Sequence, residues 1–341
     1  MADPVVLVTG GAGFVGSHAC KALAAAGYRP VVYDDLSNGT RDAVRWGPIE
    51  VGDICDGQRL AEVVSRHRPV AALHFAARID AAESTRHPAR YYSTNVTGTR
   101  SLLQALRSSG VDVLVFSSTA AVYGDAATAP ISEAHPLRPA TPYGRSKLMM
   151  EDAVREASAS HGLRYCGFRF FNAAGADPDG ELREDHEPET HLIPRLLRTA
   201  LAQHGSMSIY GTDYDTPDGT CVRDYVHVSD IADAHVLALR HLLAGKDDLI
   251  ANLGSGRGYS VREVIAAVEE TVGRPIPIRE AARRTGDPAM LVADPTLAQR
   301  CLNWSSRRSS LEQIIADAAR AFAAVDTGRE RPRRERVSHR R

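Results

Sequence analysis

Residues 5–16 read VVLVTGGAGFVG, an apolar run that leads directly into a turn with glycines at positions 10, 13 and 16. The apolar run predicts a buried strand, and the glycines predict a tight turn that opens into a helix beginning near Phe14. Gly10 can reverse the chain, Gly13 lets backbone N–H groups approach an anion, and Gly16 lets the helix pack close to the strand. A turn of this kind at a helix N-terminus is suited to a pyrophosphate.

A second short strand, residues 31–34, ends in Asp34. A carboxylate at this place can accept hydrogen bonds from both hydroxyls of an adenosine ribose, and it repels a 2′-phosphate. Neither Asp35 nor Leu36 supplies the cation that such a phosphate needs. The sequence therefore predicts a dinucleotide site that binds NAD rather than NADP.

The composition limits the partners of the chain. Its 341 residues are 43% hydrophobic, which is enough for a sizeable core, and we expect two lobes. The formal net charge is -1 and the sequence pI is about 6.9, so no overall field favours nucleic acid or an anionic membrane. No apolar run approaches the ~20 residues that span a bilayer, and the N-terminus shows no signal sequence. We expect a cytoplasmic protein with a small-molecule partner.

Apolar runs and helical stretches alternate along the first half of the chain. Further strands of a parallel sheet are predicted at residues 70–75, 111–116 and 165–170. Helices are predicted between them at residues 59–66, 89–108 and 146–160. This βαβ winding indicates an α/β protein with a doubly wound sheet.

From about Gly175 the pattern changes to loops, with helices predicted near 193–203, 230–243 and 261–272. We expect residues 1–175 to form an NAD-binding domain to which segments around 225–255 return. Residues 176–326 form mainly a smaller substrate-binding lobe. Residues 329–341 hold seven arginines without apolar periodicity, which predicts a disordered tail over 327–341.

Cysteine and histidine patterns predict no metal or redox site. The five cysteines, at positions 20, 55, 166, 221 and 301, are scattered singly and are interpreted as buried small side chains. The thirteen histidines show no pair on one helical face with a nearby carboxylate, so no metal is expected. His74, inside a predicted strand, is interpreted as a satisfied core residue.

Candidate catalytic residues follow the predicted strand 111–116. That strand leads into Thr119, and Tyr143 and Lys147 lie four residues apart, on one face of a helix. A free phenol has a pKa of ~10 and is a poor base at neutral pH. A nearby ammonium and a cationic nicotinamide both favour the phenolate, and a lowering by ~3 pKa units needs only about 4 kcal/mol. Tyr143 would then take a proton from a sugar or alcohol hydroxyl, Lys147 would lower its pKa and bind the nicotinamide ribose, and Thr119 would bond the same hydroxyl.

Several longer segments carry a family resemblance. They include VTGGAGFVGSH (8–18), YDDLSNG (33–39), HFAA (74–77), FSSTAAVYG (116–124), TPYGRSK (141–147), RFFNAAGA (169–176), THLIP (190–194), DGTCVRDYVHV (218–228) and RRTGDPAMLVAD (283–294). Over residues 4 to about 322 the chain resembles the extended short-chain dehydrogenase/reductase family, and within it the UDP-glucose (UDP-galactose) 4-epimerases. The resemblance implies a Rossmann-type doubly wound parallel sheet with a smaller C-terminal α/β lobe that binds the UDP-sugar.

The resemblance also implies tightly bound NAD and its contacts. The matching cofactor positions are Gly10, Gly13, Phe14, Val15, Gly16, Asp34, Asn38, Asp53, Ile54, Phe75, Ala76, Ala77, Asn95, Ser117, Tyr143, Lys147 and Phe170. The catalytic set is Tyr143, Lys147 and Thr119. The family forms dimers, and the predicted helices 89–108 and 146–160 could pair across a two-fold axis.

On the substrate side, the resemblance assigns UDP-sugar contacts to Thr119, Tyr143, Asn172, His191, Leu192, Tyr210, Arg223, Arg284, Asp287 and Leu291. Arginines offer forked donors to a diphosphate, while Asp287 and Asn172 could bond hydroxyls. In the family a tyrosine at the position of Leu291 narrows the sugar pocket and a small residue widens it. Leucine falls between these cases. Two departures, threonine for serine at Thr119 in some members and Ile79 for a lysine in others, should leave the chemistry intact.

The expected function is interconversion of UDP-galactose and UDP-glucose through a 4-keto sugar, with transient reduction of NAD. UDP-GlcNAc/UDP-GalNAc or a UDP-pentose remains an alternative substrate pair. A nucleotide-sugar dehydratase needs an acid after the threonine, where this chain has Ala120 and Ala121. A net dehydrogenase or reductase would exchange its cofactor, and a non-catalytic NAD-binding regulator typically lacks the Tyr/Lys pair.

Overall fold

The computed structural model describes residues 3–125, 129–202, 205–284 and 286–326, so the predicted tail 327–341 lies outside the described residues. Its main sheet has seven strands that pair in parallel. They are β1 (Val5–Thr9), β2 (Arg29–Asp34), β3 (Ile49–Val51), β4 (Ala71–His74), β5 (Val113–Thr119), β6 (Arg164–Phe170) and β10 (Leu249–Leu253). The order β3-β2-β1-β4-β5-β6-β10 is that of a Rossmann sheet with one further strand beside β6.

Helices cover both faces of this sheet, as the near-continuous apolar strands require. On one face, α1 (Phe14–Ala25) and α8 (Val228–Leu243) share a core with Val6 and Val8 of β1. On the other face, α2 (Gly57–His67), α5 (Gly98–Ser108) and α6 (Pro142–His161) pack against Leu7 and its neighbours. Alternate side chains of each strand therefore enter opposite cores, and all the predicted strands of the sheet are confirmed.

The start of α6 matters because it carries the Tyr/Lys pair. The helix begins before the predicted residue 146, since Thr141 accepts a hydrogen bond of 3.2 Å from the Gly144 N–H and Pro142 occupies the first helical position. It ends at Gly162, whose positive φ of 71° suits a glycine C-cap. Tyr143 therefore lies in the first turn of α6.

The predicted helix 89–108 is interrupted. A short helix, α3 (Ala81–Arg86), precedes this span. Within it, α4 (Pro88–Tyr91) is followed by a π-helical stretch at Tyr92–Thr97, which leads into α5. The π-helical stretch buries Asn95, whose side chain bonds to Arg78 and Ser146. Apolar periodicity predicts the helix but carries no signal for this change of winding, which is frequent at functional sites.

A second, smaller sheet is built around β9 (Val222–His227). Its other strands are β7 (Asn172–Ala174), β11 (Gly258–Ser260) and β13 (Met290–Leu291), and a separate parallel pair is formed by β8 (Met207–Tyr210) and β12 (Ile278–Ala281). The helices α7 (Leu192–Ala202), α9 (Val261–Val272) and α11 (Leu311–Asp326) pack into one core beside these strands, and α10 (Thr296–Leu302) joins the core of α8. The predicted helices of this half are confirmed to within two residues, except that Gln203 lies outside the described residues.

The predictions for the isolated cysteines and for His74 have different outcomes. Cys20, Cys166 and Cys221 are buried as expected, but Cys55 is partly exposed and Cys301 is exposed on α10, so that interpretation was wrong for these two. His74 is confirmed as a satisfied core residue, because its ring bonds to the hydroxyls of Thr9 and Thr99. Within the described ranges, no helix has both the length and the apolar character needed to cross a membrane.

Candidate active site

The glycine-rich turn lies between β1 and α1, at the carboxyl edge of the main sheet. Gly10 has a φ of +73°, and a Cβ there would overlap the backbone of Ala76, while a Cβ at Gly16 would overlap the carbonyl of Gly10. Both positions therefore require glycine. The N-cap of α1 is Gly13, and no side chain caps this helix end. Phe14 and Val15 begin the helix, whose positive N-terminus fits an anionic pyrophosphate.

Asp34 ends β2 directly beside this turn. Its Oδ2 accepts a hydrogen bond of 3.0 Å from the Ala12 N–H and its Oδ1 one of 2.9 Å from the Leu36 N–H. Burial raises the pKa of the Asp34 carboxyl, and the two N–H donors oppose this effect. The carboxylate is thus fixed against the glycine turn, where the sequence predicts an adenosine ribose.

The remaining predicted cofactor residues lie along the same edge. Asn38 and Asp53 are exposed and Ile54 is buried. The N–H groups of Phe75 and Ala76 both donate to the Thr9 carbonyl, which holds the segment containing Ala77 beside the turn. The polar atoms of buried Asn95 are engaged by Arg78 and Ser146, so this side chain positions the π-helical stretch. Glycine turn, fixed carboxylate and small residues together fit NAD.

The candidate catalytic residues meet where β5 ends beside α6. Thr119 is the last residue of β5 and pairs in register with Phe170, the last residue of β6. Tyr143 packs edge-on against Tyr91, with the ring centroids 6.4 Å apart. Burial raises the pKa of Tyr143, and the neighbouring Thr119 side chain opposes this effect. Part of Tyr143 remains accessible to solvent.

Lys147 lies one helical turn beyond Tyr143 and is fully buried. Its Nζ donates hydrogen bonds to the Ser117 carbonyl at 2.8 Å and to Ser117 Oγ at 3.3 Å. Burial lowers the pKa of Lys147 to about 7, and the negative charge of Glu151 opposes this change. Sequence reasoning expected Lys147 to lower the pKa of Tyr143. The structure adds the Thr119 side chain as a group that lowers the pKa of Tyr143, while the effect of Lys147 stays a prediction.

Beneath this site lies a buried ion pair that sequence reasoning missed. Glu151 of α6 accepts hydrogen bonds from Arg169 of β6 at 2.9 and 2.6 Å, and Ser118 Oγ donates to Glu151 at 2.6 Å. These side chains fix α6 on the sheet next to Thr119 and Lys147. A glutamate one turn after Lys147 was visible in the sequence, but its partner is distant along the chain.

Several predicted substrate residues gather on the second sheet. Arg223 of β9 forms an ion pair with Asp287 and donates to the Val222 carbonyl at 2.8 Å. Leu291 of β13 lies directly beside Arg223 in the strand register. The exposed Arg284 guanidinium stacks 4.0 Å from the centre of the Tyr210 ring, at the end of β8. Arg284 and Asp287 also line a cavity of about 380 Å³.

The other predicted substrate residues lie on other elements. Asn172 begins β7 and pairs in register with Tyr225, while His191 and Leu192 lie at the start of α7. Among the residues that the structure describes, no hydrogen bond or ion pair joins these three to Arg223 or Asp287. His191 instead directs its Nδ1 to Glu184, at 2.7 Å.

The structure also brings together residues that sequence reasoning did not connect. Glu184, His186, Glu189 and His191 form a group with the composition of a metal site, contrary to the expectation that the histidines form no such arrangement. That expectation was based on pairs along a helical face, whereas these residues lie in the loop before α7. The spacing E-x-H-x-x-E-x-H in residues 184–191 is the signal that could have found them.

Comparisons with known proteins identify relatives of the chain. The model of the NAD dependent epimerase/dehydratase family matches residues 6–254. A UDP-glucose 4-epimerase of Rhizobium meliloti (strain 1021) is 51% identical over 299 residues, which cover 88% of this chain and 91% of that protein.

Solved structures give the same result. The UDP-glucose 4-epimerase of Brucella ovis in complex with NAD has a TM-score of 0.91 and 50% identity, covering 94% of this chain and 98% of that one. The UDP-glucose 4-epimerase of Bifidobacterium longum in complex with NAD+ and UDP has a TM-score of 0.89 and 34% identity, covering 94% and 98%.

Proposed function

The chain belongs to the NAD dependent epimerase/dehydratase family, and we propose that it acts as a UDP-glucose 4-epimerase, interconverting UDP-galactose and UDP-glucose. The enzyme is an NAD-dependent isomerase. The observation that carries the reaction type is the end of β5, where Thr119 lies beside Tyr143 and is followed by Ala120 and Ala121.

These two alanines decide between related reactions. Elimination of water from a 4-keto sugar needs an acid beside the threonine, and neither alanine can donate a proton. The reaction at this site therefore does not go beyond the 4-keto sugar, which is reduced back to an alcohol. The net result is inversion at C4 without net oxidation.

The residues at the carboxyl edge have distinct proposed roles. Tyr143 takes the proton of the sugar 4-hydroxyl and later gives it back, while Thr119 donates a hydrogen bond that stabilises the phenolate oxygen. Lys147, held by Ser117, contributes a cation to the nicotinamide ribose. When bound, NAD supplies reversible hydride chemistry at C4. Asp34 and the glycine turn would hold its adenosine half.

Inversion requires that the 4-keto sugar present its other face to the same cofactor. The diphosphate must therefore be held firmly while the sugar is free to turn. Arg223 and Arg284 supply the forked donors for the anionic part, and Asp287 and Asn172 bond to hydroxyls. His191, Leu192, Tyr210 and Leu291 complete the proposed substrate contacts. NAD must stay bound between the two half-reactions, which explains its tight retention.

Leu291 leaves room for a second substrate pair. Its side chain is partly buried next to Arg223, on the short strand that borders the proposed sugar pocket. A leucine fills less space than a tyrosine and more than a small residue. UDP-GlcNAc/UDP-GalNAc, or a UDP-pentose, is therefore the second candidate for this site.

The two sheets have different proposed binding roles. Residues 1–175 bind NAD together with the segments around 225–255, because β10 pairs with β6 and α8 packs against α1. Residues 176–326 mainly bind the UDP-sugar. We place the protein in the cytoplasm, since its five cysteines are all free.

We further propose a homodimer formed through α5 and α6. These helices border a groove of about 540 Å³ that is lined by apolar residues such as Leu103 and Ala157 and by Arg100 and Arg107. The same two helices of a second copy would cover this groove across a two-fold axis. Sedimentation velocity of the purified protein tests the proposal, and a monomer at all concentrations would contradict it.

The function is tested with purified protein and no added NAD. UDP-galactose and UDP-GalNAc are incubated separately, and the nucleotide sugars are separated by anion-exchange chromatography. Conversion of UDP-galactose without accumulation of reduced cofactor is expected. Conversion of both substrates would establish dual specificity. No conversion of either after NAD is supplied, or a steady rise of reduced-cofactor absorbance with added NAD, would contradict the proposal.

A further inference from the structure

The loop before α7 concentrates four side chains that ligate metals. Glu184, His186, Glu189 and His191 each offer one atom, and these four atoms all lie within 4.8 Å of one another. The His191 Nδ1 is 2.7 Å from Glu184 Oε1 and 3.0 Å from Glu189 Oε1. The His186 Nδ1 is 3.2 Å from Glu184 Oε1 and 3.7 Å from Glu189 Oε2. Two imidazole nitrogens and two carboxylates thus converge on one point.

The two carboxylates of this group are shielded from solvent and incompletely bonded. The side chain of Glu184 is 3% exposed and that of Glu189 is 2% exposed. The His186 Nδ1 and the Glu189 Oε2 are both buried, and neither has a hydrogen-bond partner. A buried polar atom without a partner destabilises a fold, so two in one group call for a further ligand.

Protons alone do not complete the group. Two protonated histidines would balance the charge of the two glutamates. Glu189 Oε2 would nevertheless remain 3.7 Å from the His186 Nδ1 and without a hydrogen-bond donor. A cation between the four atoms satisfies all of them at once.

The spacing of the four atoms matches one class of cation. Zinc bound at ~2.0–2.2 Å by four ligands in a tetrahedron places the ligand atoms about 3.4 Å apart. Glu184 Oε1 lies 2.7 and 3.2 Å from the two histidine nitrogens. Glu189 places its Oε1 3.0 Å from His191 Nδ1 and its Oε2 3.7 Å from His186 Nδ1, so either of its oxygens lies near the required distance. Nitrogen ligands from two imidazoles favour a transition metal over Mg²⁺ or Ca²⁺, which prefer all-oxygen sites.

A second carboxylate group in the chain provides a contrast. Asp177, Asp179 and Glu181 also come together, but the Lys21 ammonium lies among them at 2.8, 2.6 and 2.7 Å. That group already contains its cation. Among the described residues no lysine forms an ion pair with the four side chains before α7, and Arg198 reaches only the edge of this group, 4.0 Å from Glu189 Oε2.

We propose that Glu184, His186, Glu189 and His191 bind one divalent transition-metal ion, with Zn²⁺ as the first choice, in a closed structural site. Four protein ligands leave no open position, so the ion does not take part in the reaction. The bound ion holds the loop in place between two parts of the proposed active site. On one side, the His186 ring packs edge-on against Phe14 at the start of α1, at 6.5 Å. On the other side, His191 leads into Leu192 and α7.

The metal would also define the chemistry of His191. An imidazole that binds a metal through Nδ1 keeps its proton on Nε2. The side chain of His191 is 40% exposed, so the Nε2–H remains available as a donor. This part of the inference rests on the proposed function, which places His191 near the UDP-sugar. Metal binding itself does not depend on it.

The metal is measured on full-length protein that carries no histidine tag and is purified from zinc-supplemented cells. Mass spectrometry of the metal content should find about one zinc ion per chain after gel filtration. Replacement by Co²⁺ should give the intense visible absorption of a tetrahedral site. Wild-type protein without bound zinc and without the Co²⁺ spectrum would overturn the proposal, whatever its epimerase activity.

Substitutions of the proposed ligands test where the ion binds. His186→Gln and Glu184→Gln, which alter two residues outside the proposed substrate contacts, should each reduce the retained zinc at least tenfold. They should also lower the thermal midpoint of the zinc-loaded protein. His87→Gln, an exposed histidine, and Asp179→Asn, from the carboxylate group around Lys21, serve as controls and should keep full zinc content. Full zinc content in both loop variants would overturn the assignment.

Discussion

Lys147 donates a 2.8 Å hydrogen bond from its ammonium to the Ser117 carbonyl in a fully buried position. A carbonyl returns only part of the hydration energy that a buried ammonium loses. The pKa of Lys147 is accordingly lowered to about 7. Lys147 therefore lowers the stability of the fold. Its proposed contact with the nicotinamide ribose explains why a lysine stands at this buried position.

Lys147→Met should separate stability from activity. Removal of the buried charge should leave the free energy of unfolding of NAD-free protein unchanged or raised by about 1 kcal/mol, because methionine fills the space without desolvation cost. Turnover of UDP-galactose should fall by at least ~10². Urea denaturation and steady-state kinetics measure the two effects. A loss of several kcal/mol with turnover retained would contradict the assigned role.

Tyr143→Phe should abolish proton transfer and preserve the site. We expect turnover to fall by ~10²–10⁴ because no other group replaces the phenol as base and acid. Bound NAD, released by acid and quantified by chromatography, should stay at the wild-type level. Tyr28→Phe, on the partly exposed surface, is the matched control and should not change turnover. Unchanged turnover in the Tyr143 variant would refute the catalytic assignment.

Leu291→Tyr and Leu291→Ala should change sugar selectivity in opposite directions. The tyrosine narrows the proposed pocket and should lower kcat/KM for UDP-GalNAc relative to UDP-galactose, by roughly tenfold or more. The alanine should raise the same ratio by a similar factor. Met290→Leu, at the neighbouring position of β13, should leave it unchanged. If both Leu291 variants keep the wild-type ratio, this residue does not border the sugar.

Glu151→Gln should destabilise the protein through Arg169. The guanidinium of Arg169 is buried and bonds to both carboxylate oxygens, so loss of the negative charge leaves a buried cation without its counterion. We expect the free energy of unfolding to fall by about 3–5 kcal/mol. Asp152→Asn removes an exposed carboxylate one residue away and should cost under ~1 kcal/mol. Equal effects of the two variants would contradict this account.

Buried histidines should make the protein sensitive to acid. His235 packs between Phe75 and Phe168, and burial lowers its pKa to about 4 from the ordinary 6.5. Between pH 6.5 and 4 the His235 imidazole is protonated in the unfolded chain and neutral in the folded state. Stability is therefore lost as the pH falls from 6.5 towards 4, by about 1.4 kcal/mol per pH unit for this group.

His235→Leu should remove that contribution. The slope of the free energy of unfolding against pH between 6 and 4.5 should become smaller by about 1.4 kcal/mol per pH unit. The NAD-saturated protein is compared at several pH values by urea denaturation, with His87→Gln as control. An unchanged slope would show that His235 is protonated in the folded state.

Features that depend on neighbouring residues were predictable from the sequence. The turn at Gly10–Gly16 and the Tyr143/Lys147 pair each combine a local pattern with a local conformation, and the structure has both as expected. The Arg223–Asp287 ion pair depends on how distant segments meet, so sequence reasoning named both residues without linking them. Burial raises the pKa of Tyr143, an effect that the spacing of Tyr143 and Lys147 along the sequence does not reveal.

The two-residue strand β13 also has an evolutionary consequence. Leu291 is held by backbone pairing to β9 and packs against the core cluster that contains Ala120 and Val122, just after Thr119. A change of side chain at this position therefore reaches the residues that follow the catalytic threonine. A lineage that alters its sugar range at position 291 must also preserve this packing, so substitutions there and in the segment 120–122 are expected to evolve together.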